Sequence, residues 1–501
     1  MITVLILLAA IGVLVWGFNR AKPFGKAGIL SWLQSVVLMV PWLLVFGLFT
    51  LGIYLNVALI LAILVLSTIA YIYLGNQLRA LGEDALPRRP SMVRSDEVKE
   101  EPEAIADATI RASSSSDSSS QPSPPVAKPS EFERIPVDDL QRIKNIFGID
   151  TFFATETIPY QDGAIFKGNL RGNPEEIHER LSQSLEEKLG DRYRLFLVNG
   201  PDSRPTIVVL PSRNDPQPST KFQLGFAVVL AFVTVVTCLE AASILLGFDL
   251  STDVTRWPET LAIAGGLIFI LATHEIAHRW MARRYHVRLS PPFFLPAWQL
   301  GSLGAFFRFE SLLKNRSVLF DIALAGPAAS GIVSFIFLIV GLSLSNQGGL
   351  PLQANFFQGS VLVGTLARAI LGDALQQSYI EVHPLVIVGW LGLLINAINL
   401  MPAGQLDGGR ILQSIYGRTV TGRATIVTIL FLVIASLVNP LALYWAIVIL
   451  FLQRDLERPA LNELTEPNDT RAALALLALF LMAATLLPLT PALAGRLGIG
   501  G

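Results

Sequence analysis

The sequence predicts a polytopic α-helical membrane protein of about eight or nine spans, carrying a re-entrant β-hairpin and a small soluble α+β insert. Three observations predict it. Of 501 residues, 52% are apolar and only 15% charged, with a mean hydropathy of +0.53, whereas soluble domains are about 25% charged. Apolar runs of about 20 residues, long enough to cross a bilayer, recur along the chain. Lys and Arg gather in alternate connecting segments, as a fixed orientation in a bilayer requires. The composition also excludes other classes. With 38 Lys+Arg against 39 Asp+Glu there is no global basic field, so no nucleic-acid partner is expected. A single cysteine, Cys238, excludes a disulfide scaffold and reads as a small core residue in an apolar run.

The first span is expected at Met1–Phe18, followed by Arg20, Lys22 and Lys26. Its charge follows the apolar run, which suits a span better than a signal peptide, and no transit peptide precedes it. Gly28–Gly75 holds two more spans, and later ones are expected at Phe222–Leu246, Thr260–Met281, Val318–Leu344 and Leu385–Met401. Ala424–Leu452 is either one long span or two short ones hinged at Asn439-Pro440, and Ala472–Leu487 closes the series. Counting spans puts Arg79, Arg88, Arg89, Arg279, Arg283, Arg284, Lys314, Arg316 and Arg410 on the same cytoplasmic or stromal-equivalent side as the first loop.

The polar insert has two parts. Ser95–Ser130 is acidic, then rich in Ser and Pro, and cannot bury a core; residues 76–130 read as a disordered tether. From Glu131 the pattern changes. Val137–Ile146 and Pro174–Leu189 have helical spacing, the second with Asn173 as N-cap. Thr151–Ala154, Ala164–Gly168, Arg194–Val198 and Thr206–Leu210 read as short strands. The domain map is therefore N-terminal spans at 1–75, tether at 76–130, soluble domain at 131–215, membrane core at 220–455, and a last span and tail at 456–501.

Chemistry concentrates in His274-Glu275-Ile276-Ala277-His278, an H-E-x-x-H motif inside an apolar run. Residues i and i+4 share one helix face, so both imidazoles can meet one zinc ion, with Glu275 placed for proton transfer. Ionisable groups at membrane depth cost about 2.5–3.5 kcal/mol each on insertion scales, which makes them functional by default. Two imidazoles leave a tetrahedral site one protein ligand short. Asp407 is the best candidate for the third, because its apolar span breaks at Pro402 and Gly408-Gly409 allow a sharp turn, while taken alone the same segment reads equally as a Gly-rich loop leaving the bilayer. His286, in a basic loop, and His383, before Pro384, read as surface or interface residues.

HEIAH together with Asn399-Leu-Met-Pro-Ala-Gly-Gln-Leu-Asp407-Gly-Gly resembles the site-2 protease family of intramembrane zinc metalloproteases. Gly301-Ser302-Leu303-Gly304-Ala305 resembles that family's membrane-associated hairpin, and Phe320–Gly331 (FDIALAGPAASG) its small-residue span. Gly168-Asn169-Leu170-Arg171-Gly172 resembles the GNLRG element of the plant and cyanobacterial subgroup associated with ethylene-dependent gravitropism and yellow-green leaves. The resemblance covers about residues 220–455. It implies His274, His278 and Asp407 as zinc ligands, Glu275 as catalytic acid/base, and Asn399 as a group that polarises the substrate carbonyl or positions the strand. It also implies membrane-anchored protein substrates.

Two other functions compete. A prenyl-processing type of membrane zinc protease would take a Glu as third ligand, and Glu310 and Glu381 are the available ones, although neither lies in a matching helical motif. A transporter or metal-dependent membrane scaffold would need midplane charges and an internal repeat, which the sequence lacks. The expected location is a multi-pass position in a bacterial, cyanobacterial-type inner membrane or a thylakoid-type membrane.

Overall fold

The computed structural model describes residues 135–499, apart from 161, 201–203, 299, 346–348, 438 and 454, together with scattered helical positions between 14 and 77. The chain divides into two compact units, Met1–Pro125 and Val126–Gly501. The tether and most of the three spans expected before it lie outside the described residues. In the first unit the Trp32 indole N–H donates to the Leu14 carbonyl at 3.2 Å, and its ring meets Phe18 edge-on.

The second unit opens with the insert. Helix α1 (Val137–Lys144) begins with Asp138 and Asp139 and ends with Arg142 and Lys144, the charge order its dipole favours. Strands β1 (Phe152–Tyr160) and β2 (Gly163–Leu170) form an antiparallel pair with an irregularity between Ala154 and Glu156. Helix α2 (Pro174–Leu189) follows, with the Asn173 side chain accepting from the Glu175 N–H at 2.9 Å and Pro at its first position. Strands β3 (Tyr193–Asn199) and β4 (Pro205–Pro211) complete an antiparallel sheet of order β1-β2-β4-β3.

Every expected strand is present, and β1 is longer than the expected Thr151–Ala154. As an edge strand it tolerates Pro159, whose missing N–H would break an inner ladder. Arg192 reaches Asp139 with two N–H groups, at 2.9 and 3.1 Å, and ties α1 to the sheet. One face of the sheet packs Phe152, Phe166, Leu197 and Ile207 against Ile177, Leu181 and Leu185 of α2. Phe166→Ala would cost about 3–5 kcal/mol, a large part of a domain's usual stability.

Five helices in the described residues are long and apolar enough to cross a membrane. They are α3 (Lys221–Leu245), α4 (Trp257–Arg284), α5 (Arg316–Leu344), α8 (Asp407–Ala435) and α10 (Asp469–Leu486). Between α4 and α5 lies a hairpin of β5 (Phe293–Ala297) and β6 (Gly301–Phe306). Between α5 and α8 come β7 (Leu350–Gln353), α6 (Val361–Leu371), β8 (Tyr379–Val382) and the 16-residue α7 (Pro384–Asn399). His383 caps α7, its Nδ1 accepting from the Leu385 N–H at 3.3 Å. Helix α8 kinks at Gly417 and starts at Asp407, well before the span expected at Ala424–Leu452; within that run the helix ends at Ala435 and α9 (Pro440–Val448) follows. Short α11 (Pro491–Leu497) ends the fold.

A strap between α9 and α10 joins insert and core. The Leu197 N–H of β3 donates to the Leu461 carbonyl at 2.7 Å, and the Glu463 N–H returns a bond to the Leu197 carbonyl at 2.9 Å. On its other side the Leu461 N–H donates to Leu313 and the Asn462 N–H to Lys314. The strap therefore closes the sheet edge that β3 would otherwise leave open.

Two outcomes follow from this docking. The insert should lie on the same membrane side as the basic end of α4, so Glu187→Cys and Arg284→Cys, each in a Cys238→Ser background, should react alike with a membrane-impermeant maleimide; opposite labelling would refute the arrangement. The second concerns His178, buried on α2 with its ring bonded to the Leu195 carbonyl at 3.2 Å. Burial holds its pKa below the ordinary 6.5. The unfolded chain then binds a proton that the native insert refuses, so stability rises with pH and is lost as pH falls through about 6.5. Protection factors of the insert in the full chain, corrected for the intrinsic exchange rate at each pH, should fall between pH 7.5 and 5.5, and His178→Gln should flatten that dependence.

Candidate metal centre

Helix α4 carries His274, Glu275 and His278 into the core on its inner face, all buried. Asp407 is the first residue of α8, just past an irregular turn that follows α7. That turn doubles back closely: a Cβ on Gly408 would overlap the Leu400 carbonyl, and one on Gly409 the Gly404 carbonyl. The expected role of the two glycines is therefore met by contact, and the sequence break delivers Asp407 to the HEIAH helix across 133 positions.

The His274 Nε2 lies 3.1 Å and the His278 Nε2 3.4 Å from the Asp407 Oδ2, and the two Nε2 atoms are 3.0 Å apart. Their protons are accounted for elsewhere. His278 Nδ1 is 2.7 Å from the Ile322 carbonyl, which can only accept, so this nitrogen carries the hydrogen. His274 Nδ1 is 3.0 Å from the Ser330 hydroxyl, which itself donates to the Gly326 carbonyl, so Nδ1 again is the donor. Both Nε2 atoms then present lone pairs to each other and to a carboxylate oxygen. Three acceptors meeting without a proton need a cation. Zinc bound at about 2.0–2.1 Å in a tetrahedron places neighbouring ligand atoms about 3.3 Å apart, close to the separations found here. The donor set fits zinc.

Glu275 is buried and neither carboxylate oxygen has a hydrogen-bond partner among the described residues. Arg279 forms an ion pair with it at 3.6 Å. The carboxylate borders a small chamber lined by Leu271, Gly304, Ser330, Ile395 and Asn399. Asn399 donates from Nδ2 to the Leu303 carbonyl of β6 at 3.1 Å and to Ile395 at 2.9 Å. Of the two roles expected for it, holding the strand is the one this hydrogen bonding serves. Glu310 does not join the histidines but accepts from Ser219, and Glu381 lies on β8; among the described residues, His274, His278 and Asp407 form the one metal-capable group.

Comparison with known proteins agrees with this geometry. Peptidase family M50 matches residues 262–438, which include both motifs, and the EGY3 middle domain matches residues 141–218. The chain is 41% identical over 350 residues to the probable zinc metalloprotease EGY2, chloroplastic, of Oryza sativa subsp. indica, covering 68% of this chain and 64% of that protein. It is 38% identical to the Arabidopsis thaliana EGY2 (72% and 67% of the two lengths) and 35% identical to the Arabidopsis EGY1, also a probable zinc metalloprotease, over 74% of each. The chain belongs to peptidase family M50. No solved structure matches this M50 chain. The family resemblance read from HEIAH and NLMPAGQLDGG therefore stands. The expected bacterial inner membrane does not: these relatives are named chloroplastic proteins of plants.

Several residues escaped the sequence reading. Ser330 lies in the small-residue stretch and orients His274, while Asn396 supports it, accepting from Ser330 at 3.2 Å and donating to the Pro327 carbonyl at 2.8 Å. Asn396 stands one helical turn before Asn399, which was the available signal. Gly326 lies against the site: a Cβ there would overlap the His278 ring. Gly326→Ala should therefore displace His278 and reduce bound metal, as measured by elemental analysis of the purified chain. Wild-type metal content in that variant would contradict the contact.

Proposed function

We propose that this chain is a membrane-embedded zinc metalloendopeptidase, hydrolysing peptide bonds within or near the transmembrane segments of membrane-anchored proteins. In this reading His274, His278 and Asp407 hold zinc and Glu275 is the catalytic acid/base. The observation that carries it is the convergence of two imidazole lone pairs and one carboxylate oxygen beside a buried carboxylate with no hydrogen-bond partner among the described residues. Bound there, zinc supplies Lewis acidity toward the scissile carbonyl and lowers the pKa of water toward about 7. Glu275 takes the proton of the attacking water and returns it to the leaving amine nitrogen. Ser330 and the Ile322 carbonyl keep each imidazole in the tautomer that leaves Nε2 free for the ion.

A helical substrate hides its carbonyls in hydrogen bonds, so it must unwind before attack. The β5–β6 hairpin is re-entrant in this reading and holds the opened segment as a strand, with Asn399 fixing β6 rather than touching the substrate. Support comes from its anchoring: the Gly301 carbonyl accepts from Thr237 of α3 at 2.5 Å, and the Leu303 carbonyl from Asn399 of α7. Irregular backbone at membrane depth is tolerated where protein satisfies it. The whole chain then has about eight or nine spans, divided at 1–75, 76–130, 131–215, 220–455 and 456–501. The insert gates access of substrates from the membrane surface. Its GNLRG element ends β2 and leads into α2, leaving Arg171 exposed for contact.

Substitution separates the roles. His274→Ala and Asp407→Ala should lose zinc and cleavage together, whereas Glu275→Gln should keep zinc and lose cleavage by several orders of magnitude. Elemental analysis paired with cleavage of a membrane-anchored peptide checks all three. Full zinc and full activity in Asp407→Ala would sink the ligand assignment, and chelator-resistant cleavage would sink the metalloprotease reading.

A further inference from the structure

Arg410 stands three residues after Asp407, in the first turns of α8, and is 2% exposed. A guanidinium this buried persists only where its N–H groups are paired. Its Nε donates to the Glu457 Oε2 at 3.1 Å, and its Nη2 lies 3.0 Å from the same oxygen. Nη2 also donates to the Phe307 carbonyl, just past β6, at 2.7 Å, while Nη1 sits 4.0 Å from the Asp407 Oδ1. The guanidinium covers the Phe307 ring at 4.2 Å, and that ring is 4.8 Å from the His278 ring. One side chain therefore touches the surroundings of two proposed ligands and the exit of the hairpin.

Its counter-charge comes from the strap. Glu457 is buried, and Gln413 brackets it, accepting from its N–H and donating to its carbonyl, both at 3.1 Å. Arg418 donates to the same carbonyl. Farther along the strap, Arg316 of α5 donates to the Glu463 carbonyl as well as to the Ser414 and Ile415 carbonyls of α8, close before the Gly417 kink. Glu457 lies beyond the residues 262–438 that match the family, on the same strap that pairs with β3 of the insert.

We propose that Arg410 and Glu457 are positioning residues for the reaction. Resting on the zinc protease reading above, the pair fixes the start of α8, and with it Asp407, against Phe307 and the hairpin exit. The strap thereby sets the geometry of the metal site with a group supplied from outside the family core.

The test uses the full chain in detergent, titrated with Co2+ by its visible absorption and assayed on a membrane-anchored peptide. Glu457→Gln leaves a buried charge unpaired and can prevent folding. The deciding variant is therefore the double substitution Arg410→Met with Glu457→Met, which removes both charges while keeping apolar volume. The expected result is a melt within a few degrees of wild type, Co2+ affinity lowered about 10–100-fold, and kcat reduced more than KM. Wild-type Co2+ affinity and kcat in the folded double variant would overturn the proposal and leave the pair a structural bridge. If that variant does not fold, Arg410→Lys decides, because a point charge cannot span Glu457 and the Phe307 carbonyl together; undiminished Co2+ affinity there overturns it equally. A wild-type chain that binds no Co2+ and cuts nothing overturns the zinc reading itself, a distinguishable failure.

Discussion

Two imidazole nitrogens and one carboxylate oxygen meet at 3.0–3.4 Å in the interior, with all their lone pairs facing inward. Much of the surrounding structure is a consequence of that meeting. The ring protons must turn outward, so α5 supplies acceptors for both, the Ile322 carbonyl and the Ser330 hydroxyl. The same helix must come close enough to do so, which leaves room only for hydrogen at Gly326. Opposite it, the chain between α7 and α8 must double back to present Asp407, and Gly408-Gly409 permit the overlap-free turn. The small residues of α5 are thus a condition for the site rather than generic helix spacing.

The hairpin extends the same logic to backbone groups. Two of its carbonyls, on Gly301 and Leu303, and the Phe307 carbonyl just past it are each taken by a side chain from a different helix: Thr237 of α3, Asn399 of α7 and Arg410 of α8. Each bond is modest alone, typically about 0.5–1.5 kcal/mol, but a buried carbonyl left without a partner would cost more than that. The strand is therefore held as an extended segment that borders the same chamber as Glu275. On the insert side the strap does comparable work for β3, closing its edge through Leu461 and Glu463. The insert and the helical part of this unit are one hydrogen-bonded body.

Local signals in the sequence determined a good deal. Apolar runs of sufficient length located four of the five long helices among the described residues, but the fifth, α8, starts at Asp407, well before the expected Ala424, because its first turns carry the polar residues that face the site. Asn173 and Pro174 announced the start of α2, and the short runs Ala164–Gly168 and Thr206–Leu210 announced β2 and β4, because capping and strand preference act over a few residues. The i,i+4 spacing of His274 and His278 fixed a shared face, and the broken span at Pro402 pointed to Asp407. Tertiary structure decided the rest. No local pattern tells Ser330 from any other small residue, or assigns the Asn399 amide to a strand carbonyl instead of a substrate. Nothing near Glu457 reveals that it will neutralise an arginine 47 positions away. Those pairings depend on which buried donors and acceptors are left over once the helices have closed, and only the assembled fold brings the leftovers together.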